Sequence, residues 1–149
     1  MSQGGKANKT GAQLENFVES TLTQAGYKSV TVEELHEERP LTFARNVPYI
    51  NLYGGNSKTE FVLCDEDGEM IRIEAKWQEV AGSVDEKYPY MYLSLLNVDE
   101  PHVIIVVDGG GQRQSSLDWL NEQAKNETRK KMDIMNMTSF LKWVNGHHD

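Results

Sequence analysis

One run of residues, H-V-I-I-V-V from His102 to Val107, constrains the fold more than any other part of the chain. Its β-branched residues favour a strand, and the lack of any polar alternation means that both faces are buried, as in the centre of an α/β sheet. The run ends at Asp108-Gly109-Gly110-Gly111, which lacks the GxGxxG order of a dinucleotide loop and reads as a flexible connection. Beyond it, Ser115 to Asn126 predicts a helix with Leu117, Leu120 and Ala124 inside. Met132 to Met137 predicts a last strand, and Thr138 to Val144 a closing helix capped by Thr138 and stopped by Gly146.

The chain ahead of that strand supplies the rest of an α/β domain. Leu14, Phe17, Val18, Leu22 and Ala25 share one face of a helix running from Thr10 to Ala25, ended by Gly26. Tyr27 to Leu35 alternates weakly and reads as a first strand that passes into an acidic turn. Leu41 to Tyr53 mixes apolar and polar residues, and Pro48 argues against a central strand there. Gly54-Gly55-Asn56-Ser57 is a loop. After Gln78, Ser83 and Glu86 form a capping box for a helix reaching about Asn97, with Pro89 bending it or delaying its start. Tyr88, Tyr90 and Tyr92 alternate, so they do not share one helix face, and some of them must be exposed.

Between these parts lies the stretch from Lys58 to Gln78. Phe61 to Cys64 and Met70 to Ile73 read as two strands joined by a tight turn near Asp67-Gly68. A two-residue turn pairs Glu60 with Ala75, whereas a three-residue turn, Glu66-Asp67-Gly68 with Gly68 at positive φ, pairs Glu60 with Glu74 and Phe61 with Ile73. A slip of one residue moves every side chain to the other face. The second register places Phe61, Leu63, Ile71, Ile73, Ala75 and Trp77 on one apolar face and is preferred. Glu60, Arg72, Glu74, Lys76 and Gln78 then occupy the other. Two carboxylates opposite each other repel unless something positive sits between them, and a divalent cation answers that need.

An acid on one strand, with Glu-x-Lys at the end of the next, resembles the PD-(D/E)XK nuclease superfamily, which includes many restriction endonucleases and archaeal-type Holliday junction resolvases. The resemblance extends to the order of elements over nearly the whole chain. It implies an α/β fold with a restriction endonuclease-like core, a central mixed β-sheet flanked by helices. By position, Glu60 and Glu74 stand for the two metal-binding acids, Ala75 for the carbonyl donor and Lys76 for the lysine that assists the attacking water. Gln78 matches a glutamine found in several branches, and Glu15 in G-A-Q-L-E matches a helical Glu that many members offer to the metal. Thr59-Glu60 stands where the family pattern has Pro-Asp. The implied activity is Mg²⁺-dependent hydrolysis of DNA phosphodiesters, with Mn²⁺ as a substitute; a domain this small needs a homodimer to cut both strands, with a monomeric nickase as the competitor. The alternative is a nuclease-like fold that has lost catalysis and serves as a DNA-binding or protein-interaction module.

Composition bounds these readings. The 149 residues, 38% of them hydrophobic, suffice for one domain, here 11–146, behind a polar arm at 1–10 whose Gly5-Lys6 lacks phosphate-loop spacing. The net charge of −8 argues against a sequence-independent polyanion binder, so any DNA-facing surface must be local. Lys125, Arg129, Lys130 and Lys131 form the one basic cluster, and Lys87 and Arg113 are further candidates for backbone contact. The lone Cys64 excludes an internal disulfide and reads as a packed thiol. His147 and His148 lie too near the end to be read as ligands. With no apolar run of membrane-spanning length and no signal-peptide core, a cytoplasmic protein is expected.

Overall fold

The computed structural model describes residues 3–78, 83–111 and 113–146, with side chains from residue 11 onward and, within the third helix, from residue 86 onward. Its elements follow the order α1 (Gln3–Gln24), β1 (Lys28–Ser29), α2 (Val32–Leu35), β2 (Thr42–Ile50), β3 (Asn56–Cys64), β4 (Met70–Trp77), α3 (Ser83–Leu95), β5 (His102–Asp108), α4 (Gln114–Asn126), β6 (Lys131–Met135) and α5 (Met137–Gly146). The six strands form one sheet in chain order. β2, β3 and β4 are antiparallel neighbours, while β1 pairs with β2 in parallel and β5 runs parallel to both β4 and β6. The fold is therefore α/β, with a mixed sheet flanked by helices.

Burial follows the patterns read from the sequence. Residues 102–107 are buried throughout because helices cover both faces of β5. Leu14, Val18 and Leu22 of α1 and Phe140 and Val144 of α5 pack on one face of the sheet, against Phe61, Ile73, Ala75 and Ile104. Tyr88, Tyr92 and Leu95 of α3 and Leu120 of α4 pack on the other, against Val103, Ile105 and Val107. Tyr88 and Tyr92 lie one turn apart and point inward, which leaves Tyr90 half-buried at the surface. Cys64 is a buried free thiol, its pKa raised by burial and then by the neighbouring Asp65. His102 is buried at the start of β5 and stays paired, its Nε2 2.7 Å from Asp133 Oδ2.

The hairpin takes the three-residue turn. Phe61 pairs with Ile73 and Leu63 with Ile71. The Asp65 amide donates to the Glu69 carbonyl at 2.9 Å, and Gly68 sits at φ 85. Asp65 is buried because its Oδ1 accepts the amides of Asp67 and Glu69, which closes the turn from inside.

Several boundaries differ from expectation. The helix expected from Thr10 starts at Gln3, inside the stretch read as an arm. Tyr27 to Leu35 holds only a two-residue strand, after which Thr31 and Glu34 close a reciprocal capping box on the single turn α2. Leu41 to Tyr53 yields a nine-residue strand despite Pro48, because β1 reaches only Thr42 and Phe43 and leaves the outer edge of β2 unpaired at Pro48. The last strand is Lys131–Met135, since Asn136 leaves the sheet to accept the Ser139 amide at 2.8 Å. Asn136, not Thr138, thus caps α5. The Ser83 side chain, on which the expected capping box rests, and the two terminal histidines lie outside what the structure describes.

Candidate active site

The sheet opens at Glu60. β3 and β4 pair in register up to Phe61 and Ile73, and the next pair, Glu60 and Glu74, is where the ladder stops. In its place the Ala75 amide donates to Glu60 Oε2 at 3.0 Å, so a side chain fills the seam that a carbonyl would have filled. On the other side of β3, Arg45 pairs with Phe61 and Val47 with Thr59, which sets Asn46 opposite Glu60. Asn46 adopts φ 54, a left-handed conformation that asparagine tolerates better than most residues. Both neighbours of Glu60 are thus out of regular pairing, and its carboxylate is free to turn toward Glu74.

Glu74 lies on the face of β4 that looks toward α3, and its side chain is only 5% exposed. Its Oε1 is 3.1 Å from Lys76 Nζ, two residues along the same face. Burial pushes the Glu74 carboxyl up to about 8, with the Glu60 charge and a hydrogen bond between the two carboxyls adding to the effect. Burial disfavours the Lys76 charge, but the Glu74 and Glu60 carboxylates outweigh it and hold the ammonium above the usual lysine range. Without a cation, the buried Glu74 carboxyl is therefore favoured in its protonated form, beside one ammonium group. Tyr49 faces the same group, its hydroxyl pKa raised by burial and then by Glu74. Glu74 and Lys76 form part of the wall of an open cleft of about 370 Å³, with Tyr49 and Lys58 on one side and Lys87 and Tyr90 on the other.

The flanking elements are tied to this place by buried polar groups. Arg72, 4% exposed, reaches across the opened seam to the Val47 carbonyl at 3.0 Å and to Thr59 Oγ1 at 3.1 Å, with its Nε on Glu100 at 2.6 Å. It fixes the backbone on either side of Glu60. Gln78 is buried and positions rather than projects. Its Nε2 donates to the Gly111 carbonyl at 3.3 Å, its Oε1 accepts from the Tyr88 hydroxyl at 3.4 Å, and its own carbonyl accepts the Gly111 amide at 2.8 Å. The glycine loop thus serves close approach: Gly109, at φ 113, lies where a Cβ would overlap the backbone of Gln78. Gly109→Ala is expected to cost about 2–3 kcal/mol, read as a lower midpoint in urea unfolding, through both clash and backbone strain. An unchanged midpoint would show that this loop yields without disturbing β4.

Of the sequence-predicted residues, Glu60, Glu74, Ala75, Lys76 and Lys87 come together here. Glu15 does not. It pairs with Arg45 Nη2 at 3.0 Å, while Glu19 takes Nη1 at 2.8 Å. Arg45 stands over the Phe61 ring, on the face opposite Glu74 and Lys76. The basic cluster lies elsewhere too, because Lys131 pairs with His102 at the start of β5 whereas Lys76 pairs with Val107 near its end, about 16 Å along the strand. Arg129 is bound to Glu127 while 67% of its side chain stays exposed, and Lys130 Nζ donates to the Val98 and Glu100 carbonyls. Lys125 is exposed at the far end of α4, and Arg113 is the N-cap of that helix, close to the glycine loop.

A family model described as the PD-(D/E)XK nuclease superfamily domain matches residues 6–148. The chain belongs to that superfamily. No curated relative matches it. PD-(D/E)XK nucleases generally use divalent metal ions. Among the described residues no group of three His, Cys, Asp or Glu side chains is placed to hold an ion. Two carboxyls meeting beside each other do suit a hard cation, since Mg²⁺ takes few carboxylates and completes its shell with water and phosphate oxygens. Asn46, Tyr49, Thr59 and Arg72 had no assigned role in the sequence reading; Arg72 alone carried a signal, its two-residue spacing from Glu74. No described helix is long and apolar enough to cross a membrane.

Proposed function

We propose that the protein is a divalent-metal-dependent DNA endonuclease, a cytoplasmic and homodimeric phosphodiester hydrolase. The observation that carries this reading is the meeting of Glu60 with Glu74 and Lys76 at the break in the β3–β4 ladder, beside a cleft that Glu74 and Lys76 line. Glu60, Glu74 and the Ala75 carbonyl would hold Mg²⁺ or Mn²⁺, which when bound activates water and offsets phosphate charge. Lys76 keeps a permanent positive charge at the seam and presents a hydrogen-bond donor to the charge that develops on the phosphate. Arg72 and Gln78 hold the strands that carry these groups. Membership of a nuclease superfamily supports hydrolysis of nucleic acid, and the lysines around the cleft favour a phosphate backbone despite the acidic surface elsewhere. Because this domain carries one such cleft, cutting both strands of a duplex calls for two copies.

The test uses supercoiled plasmid with the whole chain. Nicked and linear forms are expected with Mg²⁺ or Mn²⁺ and none with EDTA, and calorimetry is expected to show the ion binding. A protein that neither cuts plasmid nor takes up either ion is an interaction module and not a hydrolase.

A further inference from the structure

The far end of the β2–β3 hairpin, Asn51 to Gly55, is built more firmly than a surface turn needs to be. Asn51 Oδ1 accepts the amides of Tyr53 and Gly55, both at 3.0 Å, and its Nδ2 donates to Ser57 Oγ at 2.9 Å. The Leu52 amide donates to Ser94 Oγ at 3.0 Å, and Ser94 is fully buried on α3. This anchored tip holds Tyr53 83% exposed, its ring stacked on that of Tyr90 at 5.2 Å between centroids and 29° between planes. Tyr90 lines the cleft that contains Glu74 and Lys76. Lys58 and Lys87 line it too, and neither has an ion-pair partner among the described residues. An aromatic pair displayed on a rigid support beside unpaired cations matches the two elements of single-strand recognition, stacking for bases and positive charge for the backbone.

We infer that Tyr53 and Tyr90 form a stacking platform for an unpaired base, so that the substrate entering this cleft is DNA with a single-stranded segment, its phosphates drawn in by Lys58 and Lys87. A duplex keeps its base faces inside the stack and offers none to Tyr53, whereas a single strand, a flap or a frayed end does. This deepens the hydrolytic reading by naming the substrate class, and it rests on that reading for the choice of DNA.

The experiment measures binding by fluorescence anisotropy in EDTA, where no strand is cut. A labelled oligothymidylate of ~15 nucleotides and a blunt hairpin duplex serve as probes, and Tyr53→Ala and Tyr90→Ala are each expected to weaken the single strand by about tenfold or more. Tyr53→Phe keeps the ring and binds as wild type, and duplex affinity changes by less than about twofold in every variant. Because Tyr53 is 83% exposed, its removal leaves folding intact, which thermal melting checks. Equal loss for single strand and duplex, unchanged single-strand binding in both alanine variants, or no binding of either probe by the wild type overturns the inference. So does sedimentation showing a wild-type dimer that Tyr53→Ala dissociates with single-strand affinity unchanged, since the patch is then a contact between copies. Plasmid cleavage is scored separately. Tyrosine-dependent binding by a chain that never cuts supports the platform and sinks the hydrolytic reading; cutting with tyrosine-independent binding does the reverse.

Discussion

Lys76→Ala is expected to slow Mg²⁺-dependent plasmid cleavage by about 10²–10³-fold, the scale seen when one positioned donor to developing charge is removed. Glu74→Gln is expected to lose at least as much, since it removes one of the two carboxylates that the described residues place at the seam. The two losses differ in kind. Lys76 is 40% exposed and pairs with Glu74 alone among the described residues, so its removal lowers the turnover rate and leaves calorimetric uptake of the ion within about threefold. Glu74→Gln loses ion uptake together with cleavage. Lys87→Ala, at the rim, lowers apparent DNA affinity and its salt dependence and leaves the maximal rate near that of wild type. If Lys76→Ala cuts at the wild-type rate, the ammonium is only the counter-ion of a buried acid and the proposed chemistry loses its donor.

The parts of this protein that were legible in its sequence are those where a period meets full burial. The run His102 to Val107 has no polar face to misplace, and the hairpin register follows from one choice of apolar face, so the meeting of Glu60 and Glu74 could be read before any coordinates. What stayed hidden depends on partners distant in the chain. Glu15 belongs to a helix with the right motif spacing, yet Arg45, thirty positions away, claims it, and no periodicity announces that ion pair. Lys130 looks like part of a basic patch until the carbonyls of Val98 and Glu100 take its protons. The nine-residue β2 was obscured because Pro48 is excluded only from central strands, and whether a strand is an edge is a property of the sheet. Asn46 illustrates the same limit. Its positive φ has meaning only once the register places it beside Glu60.

The metal-free protein should lose stability as pH rises from about 5 to about 8, and Glu74 should be the cause. Its carboxyl has an ordinary value of 4.5 when the chain is unfolded and is pushed up to about 8 in the fold. Below the first value both states hold the proton and the contribution is constant. Between the two, the unfolded chain releases the proton while the folded chain keeps it, so each step upward in pH favours unfolding. Above the second value the folded carboxyl is ionised and the loss is complete. The gap caps that loss at about 5 kcal/mol, on the order of 10 °C in melting temperature for a domain of this size. Glu127, held down to about 2 by Arg129, acts only at acid pH, and Tyr27, at about 12, acts only well above the window. Subtracting the melting curves of Glu74→Gln, which is neutral throughout, isolates the one carboxyl from the histidines, and the difference should vanish near pH 5 and grow to pH 8. Mg²⁺ reverses the sign for the wild type alone. Binding the ion requires Glu74 ionised, so it expels the Glu74 proton, and its stabilising effect should be largest at the alkaline end, where no proton has to be removed. Calorimetry in buffers of different ionisation enthalpy reads that proton directly: release near one proton per ion at pH 6.5 is expected for the wild type. A wild-type curve parallel to that of Glu74→Gln, or ion binding without proton release, would mean that Glu74 does not hold its proton in the metal-free fold, and the case for a cation there would lose its physical basis.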